Sequence, residues 1–147
     1  MISQTAEYAL RAVVFLAHED ESKTTQQIAD VTRVPAGYLS KVLQSLVRSG
    51  LVESQRGIGG GISLAKRPEK ITVLEVVNAV DPVQRIVTCP LGIKSHGANL
   101  CPMHRRLDDA TALVERAFRK STIAELIKEP AQSKPLCEFP SASARRG

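Results

Sequence analysis

The sequence is poor in aromatic residues and has no long apolar run. It contains no Trp, two Tyr and three Phe among 147 residues. Proteins that bind single strands without sequence preference stack bases on aromatic side chains, so this scarcity disfavours that class. The longest apolar stretch, residues 9–17, is interrupted by Arg11 and is far shorter than the roughly 20 residues of a membrane span. No secretory signal peptide is visible either, and we expect a cytoplasmic protein with no membrane partner.

The charge balance indicates what kind of partner to expect. Twenty Lys and Arg residues against fifteen Asp and Glu give a formal net charge of +5. A basic domain of this kind favours a polyanionic partner. Because single strands and membranes are disfavoured, double-stranded DNA is the expected one.

Residues 1–82 have the pattern of a winged helix-turn-helix domain. Apolar residues recur at helical spacing over residues 3–18, and Thr24 or Thr25 caps a short second helix. A third helix has Pro35 at its first position and Gly50 as its C-terminal cap. Two β-compatible runs, residues 51–55 and 62–64, flank the RGIGGG sequence of residues 56–61, which is typical of a hairpin. A capping box at residues 72–75 then opens a fourth helix that ends at residue 80.

The remainder of the chain divides into a loop, a long helix and a tail. Residues 83–101 lack a clear period and are predicted to form a ligand or sensor loop. From about Pro102, small or apolar residues at positions 107, 110, 111, 114, 117 and 118 form a seam that pairs with another helix, for which a second copy of the chain is a candidate. Residues 102–129, with a short helix capped at Thr122, form the dimerisation unit, and residues 130–147 are predicted to be a disordered tail. The predicted fold class is mainly α with a small β-hairpin wing.

The third helix and the hairpin together predict a DNA-binding surface. A recognition helix reads bases with the side chains of its N-terminal half and contacts phosphate with the rest. From the helix alone, an ordinary solvated face is the alternative, but Arg56 beside glycines suits entry into the minor groove. The glycine run matches neither the dinucleotide fingerprint nor the P-loop. The predicted DNA contacts are Thr25, Gly37, Tyr38, Ser40, Lys41, Gln44, Arg56, Gly57, Gly59 and Gly60.

Four short motifs occur together in residues 1–128. They are YALRA at residues 8–12, YL at 38–39, RGIGGG at 56–61 and TIAEL at 122–126. In these motifs the sequence resembles the IscR/NsrR-type winged-helix transcription regulators, the Rrf2 family. The resemblance implies a homodimer with crossed C-terminal helices that binds a partly palindromic operator with two recognition helices. Two-fold symmetry would place the half-sites one or two helical turns apart, at roughly 34 Å per turn.

Cysteine and histidine side chains are concentrated in the predicted loop and the start of the long helix. Cys89, His96, Cys101 and His104 fall within sixteen consecutive residues, and three cysteines in the whole chain make a disulfide framework unexpected. Cys and His are common ligands of soft and borderline metals. By spacing alone, metal binding and structural thiols both remain open. Hydrolytic zinc chemistry is not expected, because neither an HExxH helix nor a deaminase signature occurs.

The resemblance implies a more specific cofactor for this loop. Members of the family often hold an iron–sulfur cluster there with three cysteines; Cys89 and Cys101 match the outer two, and Ser95 stands at the middle position. A [2Fe-2S] cluster would then have Cys89, Cys101 and His104 as ligands, with Glu7 of the partner subunit or His96 as the fourth. The alternatives are another metal, a Cys89–Cys101 redox switch, and an inert loop with no cofactor. Cys137 in the tail is interpreted as a free thiol.

The predicted function is that of a dimeric, sequence-specific DNA-binding repressor or activator that is not an enzyme. The expected signal is iron, an iron–sulfur cluster, nitric oxide or redox state. A ligand set that spans two subunits would link the angle between the DNA-binding heads to cluster occupancy. The alternatives are a metal- or redox-dependent enzyme centred on Cys89, Cys101 and His104, a DNA-binding regulator with no cofactor, and a winged-helix module that binds proteins.

Overall fold

Three helices and a hairpin form the N-terminal half of the computed structural model, which describes residues 2–96, 99–130 and 132–133. Within these ranges the helices are α1 Gln4–His18, α2 Thr25–Thr32, α3 Ala36–Arg48, α4 Val73–Val80, α5 Pro102–Lys120 and α6 Ile123–Lys128. The strands are β1 Val52–Gln55 and β2 Gly61–Leu64, and single 3-10 turns lie at Pro68–Lys70 and Lys94–His96. The predicted winged-helix architecture is confirmed. The expected tail, residues 130–147, lies outside the described residues apart from 130, 132 and 133.

Local capping sets the helix ends. The Ser3 hydroxyl accepts a hydrogen bond from the Ala6 amide at 3.1 Å and begins α1. Thr24, Thr72 and Thr122 each form a capping box with the residue three positions later. Arg33 ends α2 in the left-handed conformation, with φ of 58°. Pro35 is the N-cap of α3, so this helix begins one residue later than the sequence predicts.

The core of the head, which we define as α1 to α4 with the hairpin, forms around α1. Phe15, Ile28, Leu39 and Leu46 have no exposed surface, and burial of a large apolar side chain contributes about 1.5–3 kcal/mol. α6 also belongs to this core, since Ile123 is fully buried and its amide donates to the Ile71 carbonyl at 2.9 Å. α6 therefore packs against the head after α5, although the sequence groups α6 with the dimerisation helix.

The hairpin, called the wing, is attached through its second strand to the segment between α1 and α2. β1 and β2 are antiparallel, with Gln55 opposite Gly61. The amide of Lys23 donates to the Ile62 carbonyl at 2.9 Å and the amide of Ile62 to the Lys23 carbonyl at 2.7 Å. Gly61 has φ of 146°, and a Cβ there would lie 2.9 Å from the Lys23 carbonyl oxygen. Glycine thus allows the wing to approach the segment between α1 and α2.

The apolar seam of the long helix α5 packs against the same chain over only part of its length. Thr111, Val114 and Phe118 face α1 and α4 of the same chain, where they line a cavity of about 400 Å³. By contrast, Met103 and Leu107 on α5 are 59% and 53% exposed. Part of the predicted seam therefore packs against helices of the same chain, whereas Met103 and Leu107 remain exposed. In the described ranges, no helix has both the length and the apolar character needed to cross a membrane.

Candidate nucleic-acid interface and cysteine loop

The outward face of α3 carries polar and basic side chains. Leu39, Val42, Leu43 and Leu46 are buried against the head, whereas the predicted contacts on this helix are all exposed, namely Gly37, Tyr38, Ser40, Lys41 and Gln44. Arg48 extends the same exposed face toward the C-terminus of α3. Among the residues that the structure describes, none forms an ion pair with Lys41 or Arg48. These two cations are therefore available to an external anion.

Tyr38, at the start of α3, is held in place by α1. Its hydroxyl lies 2.6 Å from the Thr5 hydroxyl, and its ring packs edge-on against Tyr8 with centroids 5.5 Å apart. Arg11 in turn lies over the Tyr8 ring at 5.2 Å and donates to the Thr32 carbonyl at 3.1 Å. These contacts connect α1 to both helices of the helix-turn-helix. They join residues as far as 33 positions apart, and no local sequence pattern signals them.

A cleft separates α3 from the wing. It has a volume of about 500 Å³, and its polar lining residues are Thr25, Ser40, Gln44, Arg48 and Ser54. The structure thus brings together Thr25 of α2 with two of the predicted contacts on α3. Ser54 on β1 was missed by the sequence reasoning, because its position on the cleft depends on how the wing packs beside α3.

The tip of the wing is a tight, fixed turn. The Gly60 amide donates to the Gly57 carbonyl at 3.0 Å, and Gly57 and Gly59 have φ of 98° and 76°. A Cβ at Gly60 would overlap the carbonyl oxygen of Gln55. Arg56, at the start of this turn, is exposed and has no partner among the described residues. The predicted wing residues therefore lie together, with one unpaired guanidinium beside a backbone that has no side chains to block close approach.

Cys101 and His104 form a close pair at the start of α5. Cys101 is the N-cap of this helix, and its Sγ lies 3.4 Å from Nδ1 of His104, which is only 9% exposed. Cys89, also buried, lies in the preceding loop, where its carbonyl accepts from the Gly92 amide at 2.9 Å. Glu7 is on α1, ion-paired with Arg11 at 2.8 Å.

The described residues of the chain do not by themselves make a metal site. No group of three or more Cys, His, Asp or Glu side chains in the described part of the chain could hold a metal ion. The side chain of His96 and the whole of Cys137 lie outside that part. A two-iron cluster takes four protein ligands. The described residues of one chain therefore do not hold such a cluster without additional ligands.

An ion pair fastens the beginning of the loop to α5. The guanidinium of Arg85 donates to both carboxylate oxygens of Asp108, at 2.7 and 2.8 Å, and the Ile86 amide donates to the same carboxylate at 2.9 Å. The hydrogen bonds from Arg85, which have the largest effect, and the hydrogen bond from the Ile86 amide lower the pKa of Asp108 to about 2. The same pairing raises the pKa of Arg85. The segment that leads to Cys89 therefore has a fixed attachment to α5, which sequence spacing did not reveal.

The chain is similar to known transcription regulators over most of its length. Residues 2–129 match the family described as Rrf2, iron-dependent transcriptional regulator. The chain is 32% identical over 131 residues to the HTH-type transcriptional regulator NsrR of Bacillus subtilis, covering 86% of this chain and 90% of that protein. It is 31% identical to NsrR of Geobacillus kaustophilus over 142 residues, covering 92% and 95%.

Solved structures show the same fold. CymR of B. subtilis, described as the global cysteine regulator, is similar with a TM-score of 0.72 at 23% identity, over 89% of this chain and 98% of that one. IscR of T. potens is similar with a TM-score of 0.72 at 21% identity, over 90% and 93%.

Proposed function

Because this chain belongs to the Rrf2 family of transcription regulators, we propose that it binds a specific operator in double-stranded DNA as a homodimer. The observation that carries the proposal is the exposed surface formed by α3 and the wing. Lys41, Arg48 and Arg56 are exposed there and have no ionic partner among the described residues. Cations without partners are suited to phosphates, which supply most of the affinity for DNA.

The position of each side chain suggests its role. Ser40 and Lys41 lie in the N-terminal half of α3, the half that enters the major groove in a helix-turn-helix complex, and Gln44 lies about one turn further along the same face. These three side chains read base edges. Arg48 at the end of α3 contacts phosphate, and Arg56 enters the minor groove. The remaining contacts, with the backbone of the DNA, are assigned to Thr25, Gly37, Tyr38, Ser54, Gly57, Gly59 and Gly60.

The test is binding to a duplex that the wild-type protein selects from a random library, followed by fluorescence anisotropy. Arg56→Ala should weaken binding by about 1–3 kcal/mol. Lys120→Ala is the matched control, because it removes the same charge from an exposed position at the end of α5. Equal binding by wild type and Arg56→Ala would count against the wing assignment.

The proposed dimer interface is the exposed apolar stripe of α5, defined as Met103, Leu107, Ala110 and Ala117. These residues are spaced by four, three and seven positions, so they follow one side of α5, as in a helix that packs along another helix. Met103 and Leu107 are more than half exposed in one protomer. A second copy of the chain would cover them and place two recognition helices on one duplex.

The proposed signal is iron, an iron–sulfur cluster, nitric oxide or redox state, received at the cysteine loop. The description of the family as iron-dependent supports the iron-linked form, as does the Cys101–His104 pair. Cys89 is the further ligand expected from the loop, and the rest of a [2Fe-2S] ligand set would come from the partner subunit's Glu7 or from His96. When bound, such a cluster would supply a redox- and nitric-oxide-sensitive centre between the subunits.

Iron content tests this assignment directly. Anaerobically purified wild-type protein should contain iron and absorb visible light, and Cys101→Ser should lose both. Cys137→Ser is the control, since the tail cysteine is not among the proposed ligands. Colourless protein that takes up no iron on reconstitution would contradict the assignment and favour the alternative of a regulator without a cofactor. The other alternative, an enzyme centred on Cys89, Cys101 and His104, has no support from the relatives, which are transcription regulators.

A further inference from the structure

Ile58 occupies the tip of the wing with its side chain entirely in solvent. At 110% of the reference exposure, it exceeds every other exposed large apolar residue that the structure describes. An apolar side chain in this position gains none of the burial that stabilises a fold. Its identity therefore has no explanation in the core of the head.

The turn itself does not require isoleucine. Ile58 is the second residue of the four-residue turn closed by the hydrogen bond from the Gly60 amide to the Gly57 carbonyl. Gly59 follows with φ of 76°, the value expected at the third position of a type II turn. The second position of such a turn accepts most residues, and proline is common there. A polar residue at position 58 would thus leave the wing unchanged.

The tip is also held rigidly. The Ser22 hydroxyl donates to the Gly59 carbonyl at 3.3 Å, and the space around Gly60 excludes any side chain. These contacts hold the backbone of the turn, which lowers the backbone entropy lost when Ile58 makes a contact.

Arg56, two residues before Ile58 in the same loop, decides the kind of surface that Ile58 meets. A narrow minor groove rich in A·T pairs attracts an arginine side chain. Proteins that bind the minor groove also use apolar side chains there, isoleucine among them. A wing that carries Arg56 into the groove therefore carries Ile58 with it.

Resting on the proposed function, we propose that Ile58 is a specificity-determining residue of the wing that packs against the sugars and base edges of the minor groove. Its contact favours A·T pairs, because the 2-amino group of guanine occupies the floor of the groove at G·C pairs. Arg56 contributes electrostatic attraction to the groove, and Ile58 contributes apolar packing against its sugars and base edges.

The experiment uses the full chain and the duplex selected by the wild-type protein from a random library. Ile58→Ser should bind that duplex about tenfold more weakly, the loss expected when most of one apolar contact is removed. The salt dependence of binding should not change, because no phosphate contact is lost. Ile58→Leu, which keeps an apolar side chain, should bind within about twofold of wild type.

Base substitutions then identify the groove. Footprinting from the minor groove locates the pairs under the wing. G·C pairs placed there should weaken wild-type binding by a larger factor than that of Ile58→Ser, which keeps Arg56 but has lost the apolar contact. Inosine·cytosine pairs lack only the 2-amino group of guanine in the minor groove, so they should restore wild-type affinity.

Equal binding by wild type and Ile58→Ser, or no recovery with inosine, overturns the assignment of Ile58 while leaving DNA binding intact. If no duplex is selected at all, the proposed function fails and this inference fails with it. Thermal unfolding of Ile58→Ser should match wild type because the side chain is fully exposed, which separates a lost contact from a lost fold.

Discussion

The dimer proposal can be tested by placing a charge in the middle of the exposed stripe of α5. Leu107 is 53% exposed in one protomer, and the proposed interface would bury the remaining half of its side chain. Complete burial of a leucine contributes about 1.5–3 kcal/mol, so the second half contributes about 1 kcal/mol. In a two-fold symmetric dimer both copies of Leu107 are buried, so together they contribute about 2 kcal/mol to the free energy of association.

Leu107→Glu removes that contribution and adds a desolvation cost. Each buried polar group without a partner costs about 1–3 kcal/mol, and two glutamates would be introduced. The total loss is then about 4–8 kcal/mol, which raises the dissociation constant of the dimer by at least about a thousandfold. We expect Leu107→Glu to be a folded monomer at concentrations where wild type is a dimer, and to bind the selected duplex much more weakly.

Sedimentation equilibrium measures the association, and circular dichroism verifies the helix content. Arg116→Glu is the matched control, because it adds a glutamate to the exposed surface of α5 on the side away from the stripe, given about 100° per residue. This control should remain a dimer. A wild-type protein that sediments as a monomer, or a Leu107→Glu variant that sediments as a dimer, would refute the assignment of this face.

The remaining predictions concern the head and the loop. Gly60→Ala should weaken binding to the selected duplex in an anisotropy titration, because a Cβ there displaces the wing turn. The Asp108 carboxyl has a pKa lowered to about 2 from 3.8, so its contribution to stability is complete above about pH 4 and is lost as the pH falls toward 2; urea unfolding of Asp108→Asn should lack this acid dependence. Ile28→Val should cost about 1 kcal/mol in urea unfolding, since Ile28 is fully buried. A double-mutant cycle of Thr5→Val and Tyr38→Phe should give a coupling energy of about 0.5–1.5 kcal/mol in stability, and additive effects would show that their hydroxyls do not interact.

Much of the fold could be predicted because its signals are local. The capping boxes that begin α2, α4 and α6 involve residues three positions apart, and the apolar periodicity of α3 repeats within one or two turns. The glycines of the wing mark backbone conformations that other residues rarely adopt. The exposed face of α3 follows directly from knowing which side of that helix is buried.

Other features depend on contacts that no local pattern encodes. The sequence spacing of Leu107 and Phe118 placed both on one predicted seam, but Phe118 packs against the core of the head and Leu107 remains exposed. The hydrogen bonds between Arg85 and Asp108 join residues 23 positions apart in the sequence. Either side chain alone is typical of a solvated surface. Their pairing depends on where the loop crosses α5.

The sequence by itself determined the helices, the wing and the chemical character of the exposed surface of α3 and the wing, because these depend on capping, periodicity and glycine conformation within a few residues. The tertiary structure decided which part of the apolar seam of α5 stays exposed and how Thr5 and Tyr8 hold Tyr38. It also decided that Cys101 and His104 are close together, whereas no third described ligand completes a metal site with them. These arrangements follow from the packing of elements distant in the chain, where the position of each helix is set by the burial of all the others.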